Sequence, residues 1–181
     1  MGVLSGSLGR KWATIAGFIL MASACVTFAA TPQIYSDTAD AHTEVRQALA
    51  QAAREHKRVL LDFGGNWCGD CQVLYIYLHD PGNAAILAAN YVMVSVNIGR
   101  YDRNLDLAKQ YNVPLEKGVP ALAILDSNGK LLYSQRNGEF ESMRRMDVTA
   151  VTTFLNQWKP ALSHAGKQSE PCGTTAGKTN C

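Results

Sequence analysis

Two kinds of apolar pattern alternate along the chain and predict its secondary structure. Apolar residues that recur every three or four positions predict amphipathic helices, the first with Asp40 or Thr43 as its N-cap and the last beginning after Asp147. Short, nearly continuous apolar runs at 59–63, 91–98 and 121–125 predict strands, and the first run is typical of a central strand covered on both faces. The whole pattern predicts the order α, β, α, α, β, α, β, β, α, which is typical of an α/β layer sandwich with a mixed sheet.

Turn-forming residues mark where these elements end. The helix that follows Cys71 is expected to stop at Asp80-Pro81, because the residue before a proline disfavours the helical conformation. Asn104 is a candidate N-cap for the helix that Pro114 stops. Asn128-Gly129 lies between two apolar runs, which predicts a β-hairpin.

Residues 1–30 have the layout of a secretory signal peptide. A basic pair precedes an apolar run at 12–26, and small residues follow up to Ala30. The run is shorter than the roughly 20 apolar residues that a spanning helix needs, which favours export to the periplasm over an uncleaved membrane anchor. The residues up to Cys25 also resemble a bacterial lipoprotein signal, in which Cys25 would carry a lipid anchor, but Ala22 stands where that signal has leucine.

The chain divides into four expected segments. Residues 1–30 are the signal peptide, 31–42 a polar lead-in, 43–160 one α/β domain and 161–181 a tail. The tail is rich in Gly, Ser, Thr and Lys and has no apolar period, so we expect it to be flexible.

Composition and charge exclude several classes of protein. The chain has 181 residues, of which 47% are hydrophobic and 18% charged, so it holds one globular domain and is neither disordered nor a coiled coil. The formal net charge of +2 falls to zero if residues 1–30 are removed, because that segment holds two of the 17 basic residues and none of the 15 acidic ones. With no basic stripe interleaved with aromatic residues either, we expect no nucleic-acid partner.

Cys68 and Cys71 are spaced for disulfide exchange. Only two residues separate them at a predicted strand-to-helix junction, so one helical turn brings their sulfurs within bonding distance. Cys68 falls at the helix N-terminus, where free N–H groups and the helix dipole favour the thiolate that attacks disulfides. A structural bridge across so short a loop would restrict the unfolded chain little, which favours a redox role. We expect no metal, because zinc would need a second ligand pair at suitable spacing.

Cys172 and Cys181 form a second pair if the signal peptide is removed. The four cysteines that remain are an even number, which suits an oxidising compartment. We expect Cys172 and Cys181 to form a local structural disulfide, because no predicted helix terminus or obvious cation lies near either thiol to activate it. A second redox pair, or an intermolecular link through Cys181, is the alternative.

Two separated motifs resemble the thioredoxin superfamily. The first is Trp67-Cys68-Gly69-Asp70-Cys71, which closely follows Asp62-Phe63, and the second is Lys117-Gly118-Val119-Pro120 before a predicted strand. The resemblance includes the order of the elements over about 43–158. It implies a thioredoxin-like domain at 43–160, in which helices flank a central mixed β-sheet as a three-layer α/β sandwich.

The resemblance implies a thiol:disulfide oxidoreductase that needs no cofactor and acts on protein disulfides or dithiols. Cys68 would attack the substrate, Cys71 would resolve the mixed disulfide, and Pro120 would be a cis proline facing both. Val119 would offer backbone hydrogen bonds to an extended substrate. The residues implied to contact the substrate are Trp67, Gly69, Asp70, Gly118 and Val119.

Asp62 lies inside the apolar run of the first predicted strand. A buried carboxyl is costly without a partner, and desolvation would raise its pKa towards that of a useful base. The resemblance implies that Asp62 deprotonates Cys71 during resolution, and the alternative is a water-linked aspartate at a strand end. Ser95 stands where thioredoxin has the lysine that partners this carboxylate.

Asp70 also departs from thioredoxin, which has a proline at this position. A carboxylate so close to Cys68 would disfavour its thiolate by about 1 kcal/mol, while the helix dipole would act in the opposite direction. The sequence leaves open which of the two effects is larger.

The segment 78–84, after the first motif, resembles the periplasmic thioredoxin-like domain of transmembrane thiol:disulfide interchange proteins. Those proteins pass electrons outward to substrate disulfides, so this resemblance implies a reductant or isomerase with a membrane electron donor. Two alternatives stay open. One is a Cu(I)-binding or metal-delivery module, because two thiolates can hold Cu(I), and the other is an interaction module without redox turnover.

Overall fold

The sheet of this protein is mixed, and its strand order places the first strand in an interior position. In the computed structural model, which describes residues 1–2 and 33–161, the strands are β1 (Arg58–Gly64), β2 (Tyr91–Asn97), β3 (Ala121–Leu125) and β4 (Leu131–Ser134). They lie in the order β2-β1-β3-β4, with β1 parallel to β2 and antiparallel to β3, and β3 antiparallel to β4. The mixed α/β sheet that the sequence predicts is confirmed.

The helices follow the predicted order. They are α1 (Ala41–Glu55), α2 (Gly69–Leu78), α3 (Pro81–Asn90), α4 (Leu105–Gln110) and α5 (Val148–Trp158). Two short 3-10 helices, Leu115–Lys117 and Met143–Arg145, lie in the connections. Among the described residues, no helix is both long enough and apolar enough to cross a membrane.

Several sequence-based expectations lie outside the described residues. They are the signal peptide, the lipid-anchor candidate Cys25 and the tail pair Cys172 and Cys181.

Two apolar clusters cover the two faces of the sheet. Successive side chains of a strand point to opposite faces, so Val59, Leu61 and Phe63 of β1 join the cluster that includes α1 and α4. Leu60 joins the other cluster, which includes α2 and α5. Because both faces are covered, β1 is buried from Val59 to Gly64, and a polar residue on it lies inside the core.

Two helix boundaries differ in detail from their predictions. α2 ends at Leu78, and Pro81, which was expected only to stop a helix, is the first residue of α3. Asn104 occupies the N-cap position of α4, but its backbone is left-handed, with φ +51°, and its side chain makes no cap hydrogen bond. The Asn104 amide instead donates to the Asn97 carbonyl at 2.7 Å, so Asn104 takes the predicted N-cap position without a cap hydrogen bond from its side chain.

Candidate active site

The two motif cysteines lie where β1 passes into α2. Cys68 is the N-cap of α2 and has an extended backbone. Its Sγ accepts the N–H of Cys71 at 3.1 Å, and the two sulfurs form a disulfide with a Cα–Cα distance of 5.2 Å. Cys71 is fully buried and Cys68 is 5% exposed, so Cys68 is the more accessible of the two cysteines.

The second motif lies against the first. The Val119–Pro120 peptide bond is cis, and the carbonyl oxygen of Val119 is 3.5 Å from Cys68 Sγ. The buried Gln135 donates a side-chain N–H to the Pro120 carbonyl at 3.3 Å. The fold therefore brings together Cys68, Cys71 and the Val119–Pro120 peptide, as the resemblance implies.

The two glycines of the motifs differ in what their positions require. Gly118 has φ +107°, a conformation that favours glycine, and a Cβ there would lie 2.7 Å from the Glu141 Cβ. Gly69 begins α2 and is exposed, and the nearest described atom to a Cβ there would be the Arg144 side chain at 3.9 Å. The backbone needs glycine at 118, whereas position 69 has room for a small side chain.

Asp62 is fully buried on β1, in register with Ser95 of β2. The Tyr35 hydroxyl donates a hydrogen bond to Asp62 Oδ2 at 2.8 Å, and Oδ1 has no partner among the described residues. Burial raises the pKa of Asp62 to about 7, and the hydrogen bond from Tyr35 acts in the opposite direction. A carboxyl in this range can take up or release a proton near neutral pH.

Tyr35 comes from the predicted polar lead-in, yet its side chain is fully buried. Asn66, just before the first motif, fixes its backbone. Asn66 Oδ1 accepts the N–H groups of Ile34 and Tyr35 at 3.0 and 3.1 Å, and its amide donates to the Tyr35 carbonyl at 2.7 Å. Burial, and after it the charge of Asp62, raises the pKa of Tyr35 well above its ordinary value.

Asp70 is held by Arg144 of the second 3-10 helix. The guanidinium donates from Nε and Nη2 to Asp70 Oδ2 at 3.1 and 2.9 Å, and the Arg144 backbone N–H donates to Oδ1 at 2.9 Å. Burial acts to raise the pKa of Asp70, but the hydrogen bonds from Arg144 outweigh it and the pKa is lowered. The carboxylate beside Cys68 therefore has a compensating cation that no sequence motif indicates.

Trp67 presents a partly exposed ring next to Cys68 in the chain. Its indole N–H donates to the Gly99 carbonyl at 2.6 Å. The Tyr101 ring lies 5.7 Å away, and the Arg100 guanidinium is 5.3 Å from the centroid of the Trp67 ring. Because the ring remains 39% exposed, it has a face that a bound chain can contact.

Sequence reasoning missed four residues that hold this site together. They are Tyr35, Asn66, Gln135 and Arg144. Of these, Tyr35 carries a signal that could have found it, because it is a large aromatic residue in an otherwise polar segment. Within the part of the chain that the structure describes, no three His, Cys, Asp or Glu side chains are grouped to hold a metal ion.

Comparisons with known proteins agree with this geometry. The sequence model of a family described as thioredoxin-like matches residues 40–127. A crystal structure described as a disulphide isomerase from Xylella fastidiosa Temecula1 is 38% identical, with a TM-score of 0.68, over 71% of this chain and 98% of that one. The thiol:disulfide interchange protein DsbD of Vibrio vulnificus, in strains CMCP6 and YJ016, is 30% identical over 95 residues. Those residues are 51% of this chain, which spans 15% of the length of these curated relatives.

Proposed function

The chain belongs to the thioredoxin-like family, and we propose that it is an exported thiol:disulfide oxidoreductase that reduces or isomerises protein disulfides. The observation that carries the proposal is the Cys68–Cys71 disulfide at the N-terminus of α2, beside the cis peptide at Pro120. Exchange needs an accessible sulfur and a second sulfur close enough to displace the substrate. Cys68 and Cys71 meet these two needs.

The reaction begins with the reduced pair. The Cys68 thiolate, stabilised by the Cys71 N–H and the helix N-terminus, attacks one sulfur of the substrate disulfide. A Cys68–substrate bond forms, and the other substrate sulfur leaves as a thiolate. Cys71 then loses its proton and attacks Cys68 Sγ, which forms the Cys68–Cys71 disulfide and frees the substrate thiolate. Two electrons pass from the protein to the substrate.

We assign the role of base in the second step to Asp62. Its carboxyl is buried on β1, and burial raises its pKa to about 7, so a large fraction is ionised at neutral pH. An ionised carboxylate in this setting accepts the Cys71 proton as the thiolate forms.

Substrate contacts are assigned to residues around Cys68. The Val119 carbonyl is 3.5 Å from Cys68 Sγ, so the backbone of a substrate bonded to Cys68 would pass within reach of Val119. Trp67 offers its exposed ring to the same substrate. Gly69 and Asp70 border Cys68 on α2, and Gly118 sets the path of the chain before Val119.

The direction of electron flow is proposed from the relatives. The solved relative is described as a disulphide isomerase, and the curated relatives as thiol:disulfide interchange proteins. By analogy, this protein is kept reduced by an upstream donor, for which we propose a membrane protein. The reduction potential of the Cys68–Cys71 pair tests this, since about −270 mV fits a reductant and about −120 mV fits a strong oxidant.

Two cysteine variants test the proposed roles. In the full chain with Cys25, Cys172 and Cys181 changed to serine, Cys71→Ser is expected to trap a mixed disulfide on Cys68. Cys68→Ser is expected to abolish exchange. Mass spectrometry after incubation with a disulfide-bonded peptide measures both outcomes. Full exchange by Cys68→Ser would show that the assignment is wrong.

Export is tested separately from the chemistry. The chain expressed in a Gram-negative host is expected in the periplasm, with an N-terminus created by cleavage after Ala29 or Ala30. A lipid-modified N-terminus at Cys25 would identify a lipoprotein instead. An uncleaved chain in the cytoplasm would contradict export.

A further inference from the structure

We propose that the Tyr35 hydroxyl relays the proton from Cys71 to Asp62 when the mixed disulfide is resolved. The inference rests on the proposed function, because it concerns the second step of the same reaction. It assigns a chemical role to Tyr35, which precedes α1 and belongs to neither the cysteine motif nor the proline motif.

The missing side chain of Gly64 leaves a small space beside the Tyr35 hydroxyl and the Cys71 sulfur. A Cβ at Gly64 would lie under 3.0 Å from both the Tyr35 hydroxyl and Cys71 Sγ, so these two atoms border the same small space. The same hydroxyl donates to Asp62 Oδ2 at 2.8 Å. The hydroxyl therefore bonds the group that can accept the proton, and it borders the same space as the sulfur that must lose it.

The placement of Tyr35 is fixed by the active-site loop. Asn66 makes three hydrogen bonds to the backbone of Ile34 and Tyr35, and Asn66 is two residues from Cys68. The Tyr35 ring is fully buried, so its hydroxyl is held in one position. A purely packing role would be served equally by phenylalanine, which lacks the hydroxyl that bonds Asp62.

The relay conserves protons and charge. The Tyr35 hydroxyl proton passes to Asp62 Oδ2 while the hydroxyl oxygen takes the proton of the Cys71 thiol. The Cys71 thiolate then attacks Cys68 Sγ, the Cys68–substrate bond breaks, and the substrate leaves as a thiolate. Tyr35 ends the step neutral, and Asp62 holds the proton until it returns to solvent.

The protonation equilibria agree with a concerted transfer. Burial, then the charge of Asp62, raises the pKa of Tyr35 well above its ordinary value, so a free tyrosinate does not form. Burial raises the pKa of Asp62 to about 7, so the carboxylate can accept the proton near neutral pH. A hydroxyl that donates and accepts in the same step needs no change of its own charge.

The test separates the two steps in one kinetic trace. The reduced full chain, with Cys25, Cys172 and Cys181 changed to serine, is mixed with the aromatic disulfide dithiobis(nitrobenzoate). The first release of thionitrobenzoate reports attack by Cys68, and the second reports resolution by Cys71. Tyr35→Phe is compared with Tyr91→Phe, a matched control that removes a buried hydroxyl bonded to the Leu155 carbonyl at 2.7 Å in the other apolar cluster.

Tyr35→Phe is expected to slow the second phase at least about tenfold and to leave the first phase unchanged. The pH midpoint of the second phase is expected to rise, because the hydrogen bond from Tyr35 lowers the pKa of Asp62. Tyr91→Phe is expected to change neither phase. An intact first phase also reports that the site is folded.

Three outcomes would overturn the relay. One is a second phase that keeps its rate and pH midpoint in Tyr35→Phe, which would mean that the Cys71 proton passes directly to Asp62. Another is equal slowing of both phases, which would indicate general damage. The third is an equal slowing of resolution in Tyr91→Phe. Failure of the proposed function looks different, because then the parent chain would show no first phase at Cys68.

Discussion

Asp62 and Asp70 belong to the same site but lie in opposite surroundings. Asp62 is enclosed in the core with a tyrosine hydroxyl as its partner, and burial raises its pKa to about 7. Asp70 lies at the start of α2, where Arg144 binds its carboxylate from three N–H groups and its pKa is lowered. The same side chain thus has a pKa raised to about 7 where it is enclosed in the core, and a lowered pKa where Arg144 binds it at the start of α2.

The largest effect is expected from removing Asp62, the proposed proton acceptor. Asp62→Asn keeps the shape of the side chain but cannot accept the Cys71 proton, so resolution is expected to slow by about 10² to 10⁴. The attack by Cys68 is expected to be nearly unchanged. Stopped-flow measurement of the two exchange phases gives both rates, with Asp70→Asn as the matched control. Equal slowing of attack and resolution by Asp62→Asn would show that Asp62 is not the base of the resolution step.

The pH dependence of stability sharpens the same comparison. Between the ordinary aspartate pKa of 3.8 and about 7, the unfolded chain has lost the Asp62 proton while the folded chain keeps it. The free energy of unfolding therefore falls as pH rises through this window, by up to about 4 kcal/mol. Asp70 acts in the opposite sense, because its lowered pKa makes its contribution to stability disappear as pH falls.

Urea unfolding at a series of pH values measures this dependence. Asp62→Asn is expected to remove the decline between pH 4 and pH 7 and to be more stable than the parent at pH 8. Asp70→Asn is expected to retain that decline. A parent chain whose stability does not fall over this window would contradict the raised pKa of Asp62.

The smallest effect is expected at Arg144. Arg144→Gln leaves the Asp70 carboxylate uncompensated beside Cys68, which disfavours the Cys68 thiolate by about 1 kcal/mol, or roughly fivefold in its population. Attack is expected to slow, and the reduction potential to become more negative, because the reduced form loses stability. The Arg144→Gln effect is expected to vanish when Asp70 is also changed to Asn, and a persistent effect would show that Arg144 acts without Asp70.

The parts of the structure that the sequence predicts well depend on local pattern. The strand that contains Asp62 and the hairpin after β3 follow from apolar runs and turn residues that lie next to each other in the chain. The position of Cys68 at a helix N-terminus is likewise predicted from neighbouring residues, because both cysteines lie at the junction between a predicted strand and a predicted helix. These features need no knowledge of which distant segments meet.

The partners of the two aspartates depend on distant segments, and the sequence does not predict them. Tyr35 is 27 residues from Asp62, and Arg144 is 74 residues from Asp70. No period or motif links such positions, because the fold alone sets their distance. Asn104 shows a related limit, since its residue type suits an N-cap but its left-handed backbone turns the amide to Asn97 instead.

The docking of the Tyr35 segment has a practical consequence for where this domain is taken to begin. The family match starts at residue 40, so an expression boundary chosen from it would discard Tyr35 and leave Asn66 without the backbone it binds. Such a truncated protein would retain both cysteines and the cis proline, yet its Asp62 would have lost its hydrogen-bond donor. Assays on that fragment would describe an altered catalyst, although every recognised motif would still be present.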